Sequence, residues 1–185
     1  MHYKIELLRK MKEHLNRGGI IAYATESCFG LGCDPFNYKA IKKLLNLKQR
    51  SSEKGLIVIG HSFKSLNKLI KPITKIDENQ LKKYWPGAFS IILPVQEKIV
   101  HKILVGKYNS LAVRISKHKL AFKLCKYLDN PIVSTSANRS KISPAKTYRE
   151  CKRRFGNKVL VLPGNTSFMK RPSTIINWQT KKLLR

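Results

Sequence analysis

Residues 119–138 read KLAFKLCKYLDNPIVSTSAN, and this stretch decides the fold class. Leu120, Leu124 and Leu128 recur every fourth residue, which puts them on one face of a helix over 119–128. Ile132 and Val133 then form a short apolar strand that runs straight into Ser134-Thr135-Ser136-Ala137-Asn138, a polar loop. A helix handing over to a buried strand that ends in hydroxyl and amide groups is the repeating unit of an α/β domain, and polar loops after strands are its natural site positions.

The same alternation extends outward. Downstream, Thr147-Tyr148-Arg149-Glu150 is a capping box that opens another helix, and 159–162 and 174–178 read as strands. Upstream lie strands at 111–115, 89–93, 56–59 and 20–23. Between them, the helical expectations are 4–16 (Ile5, Leu8, Met11, Leu15, ended by Gly18-Gly19) and 38–47 (Ala40, Ile41, Leu44, Leu45, Leu47). Two more are a helix from a Ser62 cap through Ile70 and one over 77–84, stopped by Pro86-Gly87. Residues 25–35, rich in Gly and polar side chains, read as a loop. No Pro/Gly/Ser-rich linker divides the chain, so 1–185 is expected to be a single domain.

Composition narrows the function. The 185 residues are 42% hydrophobic, enough for a sizeable core, and carry 38 Lys+Arg against 10 Asp+Glu, a net charge of +28. Such a surface either meets polyanions or reflects drift towards lysine. No apolar run is long enough to cross a membrane, and the charged start MHYKIELLRKMKEHL is no secretory signal. Cys28, Cys33, Cys125 and Cys151 form no C-x-x-C pair, so free thiols in a reducing cytoplasm are expected rather than zinc or disulfides. The five histidines show no ligand spacing, and no P-loop, dinucleotide fingerprint, H-E-x-x-H or G-x-S-x-G occurs.

Three polar segments remain as sites. Thr25-Glu26-Ser27 follows the strand ending at Tyr23 and sets an acid, Glu26, directly after it. Lys48, Arg50 and Lys54 set three cations in seven residues. They read either as a solvated charge run or as a clamp for a triphosphate, the Arg fork giving two-point contacts and the Lys a mobile charge. Ser134 to Asn138 offers uncharged groups for sugar or phosphate oxygens, or simply turn chemistry.

The segments ATESCFGLGCDP, LLNLKQRSSEKGLIVI, YWPGAFSIILP, NSLAVRIS, PIVSTSAN and RPSTIIN occur here in order. With them, the chain resembles the YrdC/TsaC family of threonylcarbamoyl-AMP synthases over essentially its whole length, in the short bacterial form. Lys48, Arg50, Ser136 and Asn138 match the family's Lys-x-Arg and Ser-x-Asn signature. The resemblance implies a three-layer YrdC-like fold around a twisted mixed β-sheet. It implies a nucleotidyltransferase that makes L-threonylcarbamoyladenylate and pyrophosphate from L-threonine, bicarbonate or CO2, and ATP. Other proteins then transfer the threonylcarbamoyl group to tRNAs reading codons that begin with A. Mg2+ is expected to be held mainly by phosphates, with no metal site in the protein.

Carried over residue by residue, Lys48, Arg50 and Lys54 are expected at the ATP phosphates. Ser136, Asn138, Ser143 and Arg185 are expected at the nucleotide, and Thr25, Arg114, Ser134 and Ser173 at threonine. Three departures stand out: Ala24 where the family commonly has Pro, Ile59 where longer relatives carry a threonine-contacting His (His61 lies two residues on), and Lys141 where relatives have Gly. Lys170-Arg171 precede PSTII where relatives are less basic. The rival reading is a non-catalytic basic protein binding duplex RNA or assisting ribosomal RNA maturation; contact with tRNA is compatible with the enzyme as well.

Overall fold

In the computed structural model, which describes residues 5–167, 169 and 172–184, the alternation becomes seven helices and eight strands. In chain order they are α1 (Ile5–Asn16), β1 (Ile21–Ala24), β2 (Phe29–Gly32), α2 (Tyr38–Lys48), β3 (Ile57–Gly60), α3 (Phe63–Leu66), α4 (Lys75–Leu81) and β4 (Phe89–Pro94). They continue with α5 (Lys102–Val105), β5 (Ser110–Ile115), α6 (Lys119–Leu128), β6 (Ile132–Ser136), α7 (Tyr148–Phe155), β7 (Leu160–Val161) and β8 (Thr174–Asn177). All eight strands join one mixed sheet in the order β7-β1-β2-β6-β3-β5-β4-β8. Strand β6 is antiparallel to both its neighbours, while β3 with β5, β4 with β8 and β1 with β7 run parallel.

The decisive stretch behaves as its pattern demands. Leu120, Ala121, Leu124, Cys125 and Leu128 form the buried stripe of α6. That helix ends at Asp129 in the left-handed conformation (φ 49°), ahead of Pro131, which releases the chain into β6. Helix α6 packs on α1, β1 and β3.

Pairing register sorts the sheet into two faces. Val133, Val58, Val113 and Ile91 are cross-strand partners in one row, all fully buried. The adjoining row, one residue along each strand, is Ser134, Ile57, Ala112, Ile92 and Asn177, and every member lines a cleft. Because side chains alternate along a strand, β6 can bury Val133 in the core and present Ser134 and Ser136 to that cleft.

Several sequence expectations are corrected. The segment 25–35 is not all loop, because it holds β2. Its glycines mark close backbone approach rather than a turn: a Cβ on Gly32 would lie 2.6 Å from the Val133 carbonyl oxygen. The helix after Ser62 stops at Leu66, since Ile70 is drawn into a bridge with Val95. Helix α4 starts two residues earlier than expected, at the Thr74 cap, whose side chain accepts from Asp77 N at 3.0 Å. Short α5 carried no clear sequence signal. At α7, Thr147 caps Glu150 N as a capping box requires, but the Glu150 carboxylate accepts from Lys146 N at 2.8 Å. The turn after Asn138 survives the loss of its glycine with Lys141 held at φ 67°.

Candidate active site

The Lys-x-Arg pair sits at the C-terminus of α2, and helix-capping geometry explains its spacing. Gln49, the intervening residue, takes the left-handed cap conformation (φ 53°), and its N–H and that of Arg50 close on the last carbonyls of the helix. The cap turns the two cations apart. Lys48 is 3% exposed and goes inward. Its Nζ donates to the carbonyl of Ser136, to the carbonyl of Asn138 at 2.8 Å and to Asn138 Oδ1 at 3.1 Å. Arg50 goes to the cleft, with Nη2 on the carbonyl of Gly55 at 2.9 Å.

The two signature loops therefore hold each other. Ser136 Oγ donates to Asn138 Oδ1 at 2.6 Å, and Asn138 Nδ2 donates to the carbonyls of Arg139 and Ile142. From the other side, Ser140 N and Oγ donate to the carbonyls of Lys48 and Gln49, which would otherwise be orphaned at the helix end. Burial and the neighbouring Arg50 charge push the Lys48 ammonium down to about 8, against a smaller opposing effect of Cys28.

The cleft encloses about 940 Å³. Four cationic side chains line it, Arg50, Lys54, Arg114 and Lys146, with no carboxylate among the described residues. Its apolar lining includes Leu56, Val105, Tyr108, Ile92, Ile175 and Leu184. Its hydroxyls include Thr25, Ser27, Ser134 and Ser136. Apolar surface together with a small set of cations and hydroxyls fits a ligand with a flat hydrophobic part and a polyanionic part.

Arg114 enters the cleft from β5, one strand beyond β3 from Ser134. Its Nη2 donates to Glu26 Oε2 at 2.9 Å, and both side chains are more than nine-tenths buried. Glu26 Oε1 also accepts from Ser116 Oγ at 2.8 Å and from the backbone N–H groups of Lys117 and His118, where α6 begins. Burial pushes the Glu26 carboxyl up, but the Arg114 charge and these hydrogen bonds outweigh it and hold the group below its ordinary value. Arg114 Nε is buried without a hydrogen-bond partner. A segment after β7 straps this corner down, through Ser167 N to the Thr25 carbonyl and Met169 N to the Glu26 carbonyl.

Of the residues named from sequence, Thr25, Arg50, Lys54, Arg114, Ser134, Ser136, Ser143 and Ser173 converge on the cleft. Lys48 and Asn138 do not line it. In this structure the three ammonium donors of Lys48 are taken up by Ser136 and Asn138 oxygens. Arg185, Lys170 and Arg171 lie outside the described residues. Glu26, Gly30 and Lys146 were given no site role from sequence. Glu26 alone had a signal, as an acid placed directly after a strand in a chain so short of acids. Among the described residues no group of three or more His, Cys, Asp or Glu side chains is placed to hold a metal ion, and no helix is long and apolar enough to cross a membrane.

The Sua5/YciO/YrdC family model, described as "Telomere recombination", matches residues 13–185. The Threonylcarbamoyl-AMP synthase of Methylobacillus flagellatus is 46% identical over 177 residues, 96% of this chain and 98% of that one. That of Chromobacterium violaceum is 41% identical over 179 residues, covering 97% and 92%. The crystal structure of P. abyssi Sua5 complexed with L-threonine superposes with a TM-score of 0.90 at 28% identity. It covers 100% of this chain, which spans 55% of that longer one.

Proposed function

The chain belongs to the Sua5/YciO/YrdC family, and on that premise we propose that it makes threonylcarbamoyl-AMP and pyrophosphate from L-threonine, bicarbonate or CO2, and ATP. The observation that carries this reading is the position of Arg114: a buried guanidinium locked to Glu26, lining the same cleft as Arg50, Lys54 and Lys146. The relatives' names favour it over the non-catalytic RNA-binding alternative.

Arg114 takes the threonine carboxylate, a charge-assisted contact in a dry corner. Thr25 and Ser134 border the same corner, with Ser173 at its edge, where its hydroxyl lies 3.0 Å from that of buried Ser90. The amine of threonine captures CO2 to give an N-carboxylate and release a proton. A carboxylate oxygen then attacks the α-phosphorus of ATP and the bond to pyrophosphate breaks. No covalent nucleophile from the protein is required. The protein holds two polyanions side by side and neutralises the charge that moves onto the leaving group. Arg50 and Lys54 serve that purpose at the phosphates. Ser136 and Ser143 border the nucleotide, and Lys48 and Asn138 act as positioning residues that set the shape of the Ser136 loop.

The cleft does not fit a resident metal. Glu26, the acid bonded to the cleft residue Arg114, is committed to Arg114, Ser116 and two backbone N–H groups. A magnesium ion arriving with ATP is to be held by phosphate oxygens and water, and no step above runs through it. Proteins that pass the threonylcarbamoyl group to tRNA are the partners this product demands.

The test is pyrophosphate release from ATP with threonine and bicarbonate, omitting each in turn, beside Arg50→Ala. Release that requires both co-substrates and is lost in a folded Arg50→Ala protein is the expected result. Wild-type turnover in that variant would remove Arg50 from the phosphate site.

A further inference from the structure

Gly30 lies in the middle of β2, in register with Tyr23 on β1 and Ser136 on β6, on the face that opens to the cleft. Its φ is one that any residue adopts, so no backbone requirement selects glycine there. Its neighbours are informative. A Cβ at Gly30 would point at Thr25 Cγ2 (3.3 Å), Ser134 Oγ (3.5 Å) and Tyr23 Cε2 (3.6 Å). Two of these belong to the corner assigned to threonine, and the third is a fully buried phenol ring facing Ser134. Gly32, two residues on, differs in kind: a Cβ there meets a backbone carbonyl of the sheet at 2.6 Å, so that glycine serves strand packing.

We infer that Gly30 sets the size of the amino-acid side chain the enzyme accepts. The inference rests on the proposed reaction and on placing threonine beside Arg114. With its carboxylate on Arg114, threonine rests its β-carbon substituents over the bare Cα of Gly30, between the Thr25 methyl and the Ser134 hydroxyl. The missing Cβ leaves room for about one methyl group. That room is what separates a substrate with two β-substituents from one with none. Adding a Cβ would lift the floor by about 1.5 Å, one carbon–carbon bond. Glycine as substrate, lacking any β-carbon, would not meet it. Discrimination by one methyl in a closed pocket is about 10- to 200-fold.

Three measurements test this. Wild-type enzyme is assayed for pyrophosphate release with threonine, serine and glycine, each with bicarbonate and ATP, and Gly30→Ala is assayed in the same way. The expected result is that Gly30→Ala lowers kcat/KM for threonine at least 10-fold relative to glycine, while the KM for ATP stays within about 2-fold. A purely structural glycine would depress all three amino acids equally, and that outcome overturns the inference, as does unchanged threonine turnover. The third measurement uses Thr25→Ser, which removes the Cγ2 wall from the other side of the same space. It should gain activity with the ethyl homologue of threonine relative to threonine itself. If Gly30→Ala fails to fold, the presence or absence of that gain decides. Wild-type protein that releases no pyrophosphate with any of the three would instead defeat the proposed reaction, a result separable from either variant.

Discussion

Replacing Glu26 by alanine should cost the protein about 3–5 kcal/mol, the usual loss when one partner of a buried ion pair is removed and the other stays. The arrangement supports the upper part of that range. Glu26 is 6% and Arg114 7% exposed, so water cannot replace the lost partner. Besides Arg114 at 2.9 Å, the carboxylate accepts from Ser116 Oγ and from the N–H groups of Lys117 and His118, of which only the His118 N–H keeps a second acceptor, Ser116 Oγ at 3.1 Å. For a chain of this size each kcal/mol moves Tm by about 2–4 °C, so thermal unfolding followed by circular dichroism should fall by roughly 6–20 °C. The pH dependence follows from the depressed carboxyl. A group whose folded-state value lies below its ordinary 4.5 contributes stability above that value, and the contribution is lost as pH falls through the folded-state value. The gap between wild type and variant should therefore be constant across neutral pH and narrow in acid. A loss under about 3 °C at neutral pH, or a gap that does not change on acidification, would refute the claim that this pair anchors the corner.

Lys48 gives a prediction of opposite sign for stability and rate. Its ammonium titrates at about 8, below its ordinary 10.5, so between those values the unfolded chain binds the extra proton and stability should rise with pH. Over the same interval the loop of Ser136 and Asn138 loses part of its clamp, so kcat/KM for ATP should fall along a limb with its midpoint near 8; a pH–rate profile flat to pH 9.5 would contradict this. Gly32→Ala should destabilise by about 1–3 kcal/mol through overpacking against the Val133 carbonyl, measured by urea unfolding, and a neutral result would mean the strands separate more easily than their spacing suggests.

What could be read from the sequence depended on whether a residue's partner was local. Helix α6 and strand β6 were legible because the stripe of Leu120, Leu124 and Leu128, then Ile132 and Val133, carry their periodicity within a few residues. The β2 strand was missed because Gly30 and Gly32 look like loop punctuation until Ser134 and Val133 are brought beside them from about a hundred residues on. The site was legible as a set of residue types, since the cations and hydroxyls lie in three short segments. Their directions were not. Lys48 and Arg50 differ by two positions and point to different places because Gln49 adopts the left-handed cap, a conformation its identity does not announce. Glu26 was visible as a lone acid, but its partners Arg114 and Ser116 are about ninety residues away.

The sheet order also bears on how the chain is made. Strands β2 and β3 emerge early from the ribosome, yet they never touch each other; β6 is the strand that comes between them. At about 5–20 residues per second, the stretch from Gly60 to Ile132 takes the ribosome roughly 4–14 s, during which both nascent strands expose unpaired edges. The last strand of the central pairings is the one that bears Ser134 and Ser136, so a nascent chain has no half-built nucleotide pocket to occupy. The cleft is completed later still, when Ser143, Lys146, Ser173 and Asn177 follow β6, so its occupancy reports that synthesis has passed the stage at which the edges of β2 and β3 lie open.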